Sequence, residues 1–282
     1  MILKRAILAC LALVLLAAPV GGANASDPTI PRFWDTTERL TRPDLSAYAR
    51  LRFLTTTDFP PFNYFGPDGR LTGFHVDLAR AICLELDLLS RCEIQALPFD
   101  ELDDALARRE GEAIIAGRAI TDQSRRDHAF SRPYLRFPAR FIMPKPTAVA
   151  EPIDLNLAGK RIGVIAGSSH EAMLRQLFPG VQPVTYSRPG WLYRDLKAQA
   201  IDAAFGDGMR YSFWLASADS EACCRFAGGP YLAPEFLGHG LAVAARPEDA
   251  ALASAFDYAL RELHAKGAFA ELYLRYFPVS FF

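Results

Sequence analysis

The 282-residue chain has no long run of basic residues and almost no net charge. Its 31 lysines and arginines balance 32 aspartates and glutamates, which gives a formal net charge of -1 at pH 7. Proteins that bind nucleic acid usually carry a basic patch or stripe that neutralises phosphates. The composition therefore argues against a nucleic-acid partner.

Metal-binding patterns are also missing from the sequence. The chain has five histidines and five cysteines, but neither a Cys-x-x-Cys pair nor a His-Glu-x-x-His motif. Those spacings place several ligands around one ion, so their absence removes the usual sequence signal for a zinc site. We expect neither a metal nor a cofactor.

A long apolar run occurs only near the N-terminus. Lys4 and Arg5 precede the apolar stretch 6–20, and the small residues Ala23-Asn24-Ala25 follow it. This order is typical of a secretory signal peptide. A membrane-spanning helix is the alternative, but it needs roughly 20 apolar residues and this run is shorter. We expect residues 1–25 to be removed after Ala25 and the exported protein to be soluble.

Four cysteines lie beyond that leader: Cys83, Cys92, Cys223 and Cys224. Export places them in an oxidising compartment, where pairing is the default, and four cysteines allow three connectivities. Cys83 lies late in an amphipathic helix and Cys92 just beyond it, within plausible reach of a bridge. Adjacent Cys223 and Cys224 would close a strained ring, remain free, or bridge elsewhere.

The body of the chain alternates short strands with amphipathic helices. Hydrophobic residues make up 51% of the sequence, enough for a sizeable core. We predict strands at residues 51–56, 93–97, 113–116, 161–166, 203–206 and 240–245. We predict helices at residues 74–86, 100–109, 169–178, 191–200, 248–266 and 268–277. This alternation predicts an α/β protein with parallel βαβ units, in which ligands bind at the carboxyl ends of the strands.

Several segments, taken in order, resemble the family 3 periplasmic solute-binding proteins, the polar amino-acid receptors of ABC importers. The likeness covers about residues 50–278. Its segments are Asp58-Phe59-Pro60-Pro61-Phe62-Asn63-Tyr64, Gly69-Arg70-Leu71-Thr72-Gly73-Phe74-His75-Val76-Asp77-Leu78-Ala79, Phe99-Asp100, Ala116-Gly117-Arg118-Ala119-Ile120-Thr121, Phe130-Ser131-Arg132-Pro133-Tyr134, Gly163-Val164-Ile165-Ala166-Gly167-Ser168-Ser169, Ile201-Asp202-Ala203-Ala204-Phe205-Gly206-Asp207 and the ending Gly267-Ala268-Phe269 with Tyr276-Phe277.

The resemblance implies a type II periplasmic-binding-protein clamshell. Residues 50–135 and 238–282 would form lobe I, residues 138–233 lobe II, and a two-stranded hinge would lie near 135–137 and 234–237. Residues 26–49 would be an N-terminal extension. The resemblance also implies a periplasmic monomer that hands a small ligand to an inner-membrane ABC permease. Cys83 and Cys92 look like the helix-end disulfide of the histidine- and lysine/arginine/ornithine-binding relatives.

An amino-acid ligand needs an anion for its ammonium and N–H groups or a cation for its carboxylate. By resemblance, Asp207 would accept the α-ammonium, although Asp is also a good helix N-cap. Ser168 begins a capping box with Glu171, and the N–H groups at Gly167, Ser168 and Ser169 could receive a carboxylate as well as cap the helix.

Two aromatic side chains complete the site that the resemblance implies. Phe59 and Phe99 occupy positions whose rings flank the ligand side chain in the relatives. Plain core packing is the alternative for both residues, since aromatic residues are plentiful in this chain.

The sequence departs from the family at its carboxylate clamp. The family usually carries Thr-x-x-Arg, whereas this chain has Thr121-Asp122-Gln123-Ser124, with arginines one and two places later. A one-residue offset on a helix turns a side chain by about 100°. The family usually has a hydroxyl residue two places before this threonine, whereas this chain has Ala119. Arg118, beside Gly117, is a possible substitute for the missing arginine, or else a solvated charge.

We expect a non-catalytic receptor for an amino acid or a related small amine. A cyclohexadienyl-dehydratase-like enzyme on the same fold is the alternative, because fold does not fix function. His170, Glu171 and Asp58 could then serve as acid or base, although no specific constellation is visible. Sensor input to a signalling partner would normally need a membrane helix, and we predict none in the mature chain.

Overall fold

The structure is a computed structural model that describes residues 30–31, 33–35, 37–118, 120–121, 123–147 and 152–282. The expected signal peptide and its cleavage site lie outside the described residues. Within the described part of the chain, no helix combines the length and the apolar character that crossing a membrane requires.

The first lobe is built on a five-stranded sheet with strand order β5-β1-β6-β13-β7. Its strands are β1 (Leu51–Thr55), β5 (Cys92–Ala96), β6 (Ala113–Ile114), β7 (Ala129–Phe130) and β13 (Ala244–Ala245). β5 and β6 flank β1 in parallel, whereas β13 runs antiparallel to β6 and β7. β13, which lies between β6 and β7 in the sheet, therefore comes from the C-terminal part of the chain.

Among the described residues, the α-helices of the first lobe are α1 (Phe74–Glu85), α2 (Leu102–Ala107), α3 (Ser124–Asp127), α9 (Ala250–Ala265) and α10 (Ala268–Tyr276). The apolar residues of α1 recur at helical spacing, and Phe74, Leu78 and Ile82 are fully buried. α1 packs against α9 and α10, so these three helices cover one face of the sheet.

A small antiparallel sheet precedes α1. Its strands are β2 (Asp58–Phe59), β3 (Asn63–Phe65) and β4 (Leu71–Thr72). This sheet carries Phe59 and Asp58, which places both residues on the first lobe.

The second lobe has its own five-stranded sheet, with strand order β10-β9-β11-β8-β12. Its strands are β8 (Ala139–Pro144), β9 (Arg161–Ile165), β10 (Gln182–Tyr186), β11 (Ala203–Asp207) and β12 (Cys224–Tyr231). Its helices are α4 (Ile153–Asn156), α5 (Ser169–Leu177), α6 (Pro189–Lys197) and α7 (Gly208–Ala216). β9, β10 and β11 run parallel, so their carboxyl ends meet at one edge, where α5 and α7 begin.

The prediction of a second hinge strand near residues 234–237 is wrong. Residues Pro234–Leu237 form a short helix, α8, because proline at its start fixes a helical φ and lacks an N–H that the first turn would leave unpaired. Gly238 ends this helix at a φ of 73°. Leu135, the first expected hinge segment, instead pairs antiparallel with Leu241.

The described part of the N-terminal extension packs on the first lobe. Trp34 is 8% exposed and Leu45 is 7% exposed, and both join the core formed by β1, α1, α9 and α10. Arg132 lies over the Trp34 ring at 5.1 Å and forms an ion pair with Glu38. These contacts make the extension part of the folded lobe.

Both disulfides lie within single lobes. Cys83 at the end of α1 is bonded to Cys92 at the start of β5, which confirms the bridge that the resemblance implied. Cys223 and Cys224 are bonded to each other, so the adjacent pair adopts the ring form among the three alternatives.

Candidate functional site

A cavity of about 170 Å³ opens at the carboxyl ends of β9 and β11 in the second lobe. Its polar and aromatic walls are formed by Ser168, His170, Tyr193, Asp207, Arg210 and Tyr211. The first turns of α5 and α7 supply most of these side chains, because both helices begin at this edge of the sheet. Ligands of open α/β sheets bind at this position.

Asp207 is both the last residue of β11 and the N-cap of α7. Its Oδ1 accepts hydrogen bonds from the backbone N–H groups of Met209 at 2.8 Å and Arg210 at 3.1 Å. No described residue donates a hydrogen bond to Oδ2. The side chain is half-buried and lines the cavity, so capping occupies one carboxylate oxygen and leaves the other for a ligand.

Ser168 caps α5 as the sequence predicts. Its Oγ accepts from the N–H of Glu171 at 3.1 Å and donates to the carbonyl of Ile165 at 2.6 Å. The carboxylate of Glu171 accepts from the N–H of Gly167 at 2.8 Å, one residue earlier than in a standard capping box. The N–H of Ser168 donates to the carbonyl of Ile165 at 3.3 Å, so two of the three N–H groups expected to receive a carboxylate are already bonded within the protein.

A second cavity, of about 260 Å³, connects this edge to the segments that join the lobes. It is lined by Phe137, Ser169, His170, Asp207, Phe236 and Leu237. Ser169 is exposed here, at the first position of α5. Asp207 and His170 border both cavities, which places them where the joining segments approach the second lobe.

The surroundings of His170 favour the neutral form of its imidazole. Burial lowers the pKa of its imidazole below the usual value of 6.5, and Arg210 lowers it further, while the carboxylate of Asp207 opposes this shift. A neutral imidazole presents one donor and one acceptor to the cavity.

On the first lobe, Phe59 rests against Gly117. The Phe59 ring stacks on fully buried Phe62 with centroids 4.7 Å apart. Gly117 has a φ of 78°, and a Cβ built there would lie 2.7 Å from Cε1 of Phe59. The aromatic surface expected to flank the ligand is thus half-buried and held by close packing.

Phe99 and Arg118 form a separate cluster. Phe99 is 49% exposed in a 3₁₀ turn, and the guanidinium of Arg118 lies 5.0 Å from its ring centroid. Arg118 also forms an ion pair with Asp103, whose Oδ1 lies 3.1 Å from Nε2 of His128. The proposed substitute cation is therefore already paired, and Ala119 lies outside the described residues.

Ser124 and Thr121 bond to each other at the start of α3. The Oγ of Ser124 accepts from the Thr121 N–H at 2.9 Å, and the Oγ1 of Thr121 accepts from the Ser124 N–H at 3.1 Å. Arg125 and Arg126 are exposed, and Arg126 donates to the side chain of Gln123 at 2.5 Å. Where the resemblance expects an arginine clamp, the chain has a serine that stabilises a local turn.

Among the described residues, no three His, Cys, Asp or Glu side chains are grouped so that they could hold a metal ion. The sequence interpretation missed Arg210, Tyr193 and Tyr211, which line the first cavity. Arg210 lies three positions after Asp207 in the first turn of α7, and this spacing is a signal that could have found it.

A family model described as "Bacterial extracellular solute-binding proteins, family 3" matches residues 51–279. The chain belongs to this family. The match spans both sheets and the cavities between α5, α7 and the joining segments, so the clamshell fold that the resemblance implied is confirmed.

Several proteins that resemble this family 3 chain carry names of amino-acid-binding proteins. It is 31% identical over 240 residues to the L-arginine-binding protein of Pseudomonas aeruginosa, covering 84% of this chain and 92% of that protein. A polar amino acid ABC uptake transporter substrate binding protein from Streptococcus thermophilus superposes with a TM-score of 0.67 at 23% identity, over 85% of this chain and 91% of that one. This second likeness establishes the fold alone.

An enzyme shares the same fold. An ancestral cyclohexadienyl dehydratase superposes on this family 3 chain with a TM-score of 0.69 at 17% identity, over 86% of this chain and 99% of that one. At that identity the likeness again establishes only the fold.

The three acid–base candidates have different environments. The N–H of Gly167 and then the guanidinium of Arg175 lower the pKa of Glu171, and Arg175 is bonded to it at 2.8 Å. Asp58 is exposed on the small sheet of the other lobe. Of these three candidates only His170 lines the first cavity, so the structure does not bring them together there.

Proposed function

We propose that this protein is a periplasmic receptor that captures an amino acid and delivers it to an inner-membrane ABC permease. The observation that carries the proposal is the half-buried carboxylate of Asp207, whose Oδ2 accepts no hydrogen bond from a described residue at the mouth of the cavity. A partly desolvated anion there favours a cationic partner, and the α-ammonium of an amino acid supplies one with three donors.

The surroundings of Asp207 support an amino-acid ligand. Ser168 and Ser169 place the N-terminus of α5, with its partial positive charge, beside the same cavity edge. On the other lobe, Phe59 and Phe99 offer aromatic surface for a ligand side chain. Because one relative carries the name of an L-arginine-binding protein, basic amino acids are the first ligands to test.

Delivery requires that the two lobes respond to the ligand. A ligand gripped from both sides makes more contacts in the closed state, and this difference in contacts drives closure. We propose boundaries for the lobes at residues 135–138 and 233–238, a leader cleaved after Ala25, and a monomer in the periplasm. Compaction in small-angle scattering on saturation with a confirmed ligand is the expected result.

We favour a receptor over an enzyme because Glu171 is held in a capping arrangement and an ion pair, which suits a structural role. A general acid needs a pKa near the working pH, and the environment of Glu171 shifts its pKa the other way. Release of phenylpyruvate from prephenate by the purified protein would support the enzyme and contradict the receptor.

The proposal is tested by finding the ligand and then removing the charge of Asp207. Mass spectrometry of protein purified under native conditions identifies any retained ligand, and thermal stabilisation by the twenty standard L-amino acids extends the search. Asn is also a good N-cap, so Asp207→Asn keeps the bonds to Met209 and Arg210 while removing the anion.

We expect Asp207→Asn to weaken amino-acid binding by about 2–5 kcal/mol, measured by calorimetry. Asp195→Asn is a matched control, since Asp195 lies in the same lobe and bonds to Tyr186, away from the cavity wall. If Asp207→Asn binds as tightly as Asp195→Asn, Asp207 is not in the site.

A further inference from the structure

The proposed receptor site has an anion for the ammonium, but its usual cation for the carboxylate is absent. On the first lobe Arg118 is paired with Asp103 and stacked on Phe99, and Ser124 stands where the family carries arginine. A carboxylate bonded there would share the guanidinium with Asp103, which bonds to Nη2 and leaves Nε without a hydrogen-bond partner among the described residues. A guanidinium that has no acidic partner would bind the carboxylate without this competition.

Arg210 meets this requirement on the second lobe. It is the third residue of α7, its side chain lines the cavity beside Asp207, and it is exposed. Within the described residues its guanidinium forms neither an ion pair nor a stacked contact with a ring. Its backbone N–H donates to Asp207, which fixes the two residues in one helical turn.

Other arginines of the second lobe have partners. Arg175 pairs with Glu171, and Arg194 pairs with Asp195. Arg188 lies over the Trp191 ring at 5.4 Å. The uncommitted guanidinium of Arg210 is thus placed at a cavity, where a guanidinium can bind an anion.

The fields of Asp207 and Arg210 act on the same cavity walls. Burial raises the pKa of Tyr193 to about 12, while Arg210 lowers it and Asp207 raises it. The same two charges act in opposite directions on His170 and Tyr211. The two charged side chains therefore face one chamber from neighbouring positions.

We propose that Arg210 binds the α-carboxylate of the ligand while Oδ2 of Asp207 binds its α-ammonium. Asp207 caps α7 and Arg210 lies in its first turn, both side chains line the cavity, and an amino acid carries its two charged groups on one carbon. A guanidinium fork fits a carboxylate with two parallel hydrogen bonds. One turn of α7 then holds the whole zwitterion, without an arginine from the first lobe.

This inference rests on the proposed function and narrows its ligand class. The ligand needs both a free α-ammonium and a free α-carboxylate, so α-amino acids bind and amines without a carboxylate do not. The side chain is left to the first lobe, where Phe59 and Phe99 lie.

The test compares an amino acid with its α-carboxamide, using L-arginine and L-argininamide, or the equivalent pair for whichever standard amino acid stabilises the protein most. We expect the wild type to bind the amide roughly tenfold or more weakly, because the amide cannot accept a charged fork. In Arg210→Gln, affinity for the amino acid should fall by roughly tenfold or more, and the preference over the amide should shrink to about twofold. Arg210→Lys keeps the positive charge but not the guanidinium fork, so its affinity for the amino acid should lie between those of the wild type and Arg210→Gln.

Arg188→Gln is the matched control, since it removes another exposed arginine of the same lobe whose side chain does not line the cavity. Arg118→Gln tests the alternative cation. Circular dichroism and thermal unfolding establish that each variant is folded.

The outcomes separate the two proposals. If no standard amino acid binds the wild type, the proposed function fails. If one binds and Arg210→Gln keeps the full preference over the amide, Arg210 is not the carboxylate partner, although the receptor stands. Loss of that preference in Arg118→Gln instead would overturn the inference in favour of the first lobe.

Discussion

Gly117 packs so closely against the Phe59 ring that a Cβ at position 117 would lie 2.7 Å from Cε1 of Phe59. Glycine is favoured at this position for a second reason, because its φ of 78° is in the left-handed region that other residues rarely adopt. One backbone position therefore restricts the orientation of the Phe59 ring.

We predict that Gly117→Ala destabilises the protein and weakens ligand binding. The left-handed backbone alone costs about 1–2 kcal/mol, and the displaced Phe59 adds to this. Gly69→Ala is the matched control, because Gly69 has a φ of 72° and nothing within 4 Å of its Cβ position. Urea unfolding and calorimetry measure both effects. Equal losses in the two variants would show that the contact with Phe59 contributes nothing.

Helices and parallel strands with clear periodicity could be predicted from the sequence. Phe74, Leu78 and Ile82 mark α1, and the structure places that helix at Phe74–Glu85. Periodicity does not predict β8, because all six of its residues are buried and its sequence shows no alternation. The expected strand at 240–245 shortens to Ala244–Ala245, since only these residues pair with β6 and β7.

The candidate site was predictable only where its signals are local. Ser168 and Asp207 begin helices, and capping is read from neighbouring residues. The sequence does not reveal that Arg118 is paired, because its partner Asp103 lies 15 positions away and is brought to it by the fold. Arg210 also has a local signal, its spacing of three from Asp207, but an arginine in the first turn of a helix is equally typical of a solvated surface charge.

We predict that the two disulfides differ in their effect on stability. The bridge Cys83–Cys92 closes a loop with a sequence separation of 9, and removing it should lower the free energy of unfolding by about 2–3 kcal/mol. The matched control is Cys223→Ala with Cys224→Ala, where the separation is 1 and little chain entropy is involved. Non-reducing urea denaturation of both double variants gives the comparison. A larger loss from the adjacent pair would contradict the prediction.

His75 lies beneath the Phe62 ring in a buried network. Its Nε2 lies 2.8 Å from the Tyr134 hydroxyl, and its Nδ1 lies 2.6 Å from Oδ1 of Asn63. The Asn63 amide donates to Thr56, so Oδ1 faces His75 and Nδ1 carries the proton. Burial lowers the pKa of His75 from 6.5 to about 3, which keeps it neutral in the folded state.

We predict that this network loses stability as the pH falls. Between pH 6.5 and 3 the unfolded chain binds a proton at His75 that the folded chain does not, so unfolding is favoured as the pH drops. Asp257 acts in the opposite sense, because burial raises its pKa from 3.8 to about 6. The wild type and His75→Gln both contain Asp257, so the difference between their free energies of unfolding isolates the contribution of His75.

The excess stability of the wild type over His75→Gln should shrink by about 2 kcal/mol between pH 7 and 5. His239→Gln is the control, since His239 is exposed, and its difference from the wild type should not follow this course. Chemical denaturation at both pH values measures these differences. An excess that stays constant for His75→Gln would show that His75 is not held neutral.

Finally, the two possible carboxylate partners should behave as substitutes for each other. Ser124→Arg restores the family's usual residue but removes the Ser124 Oγ that accepts from Thr121, a change that costs about 1 kcal/mol of stability. In the Arg210→Gln background, the new arginine should recover roughly tenfold in amino-acid affinity, because it gives an unpaired carboxylate a fork. In the wild-type background it should add no more than about twofold, since a carboxylate already held by Arg210 has fewer lone pairs to offer. Calorimetry on the four proteins measures this coupling, with Ser124→Gln in both backgrounds as the uncharged control. Equal gains in both backgrounds would mean that the two arginines bind different groups, and Arg210 would then have no part in holding the carboxylate.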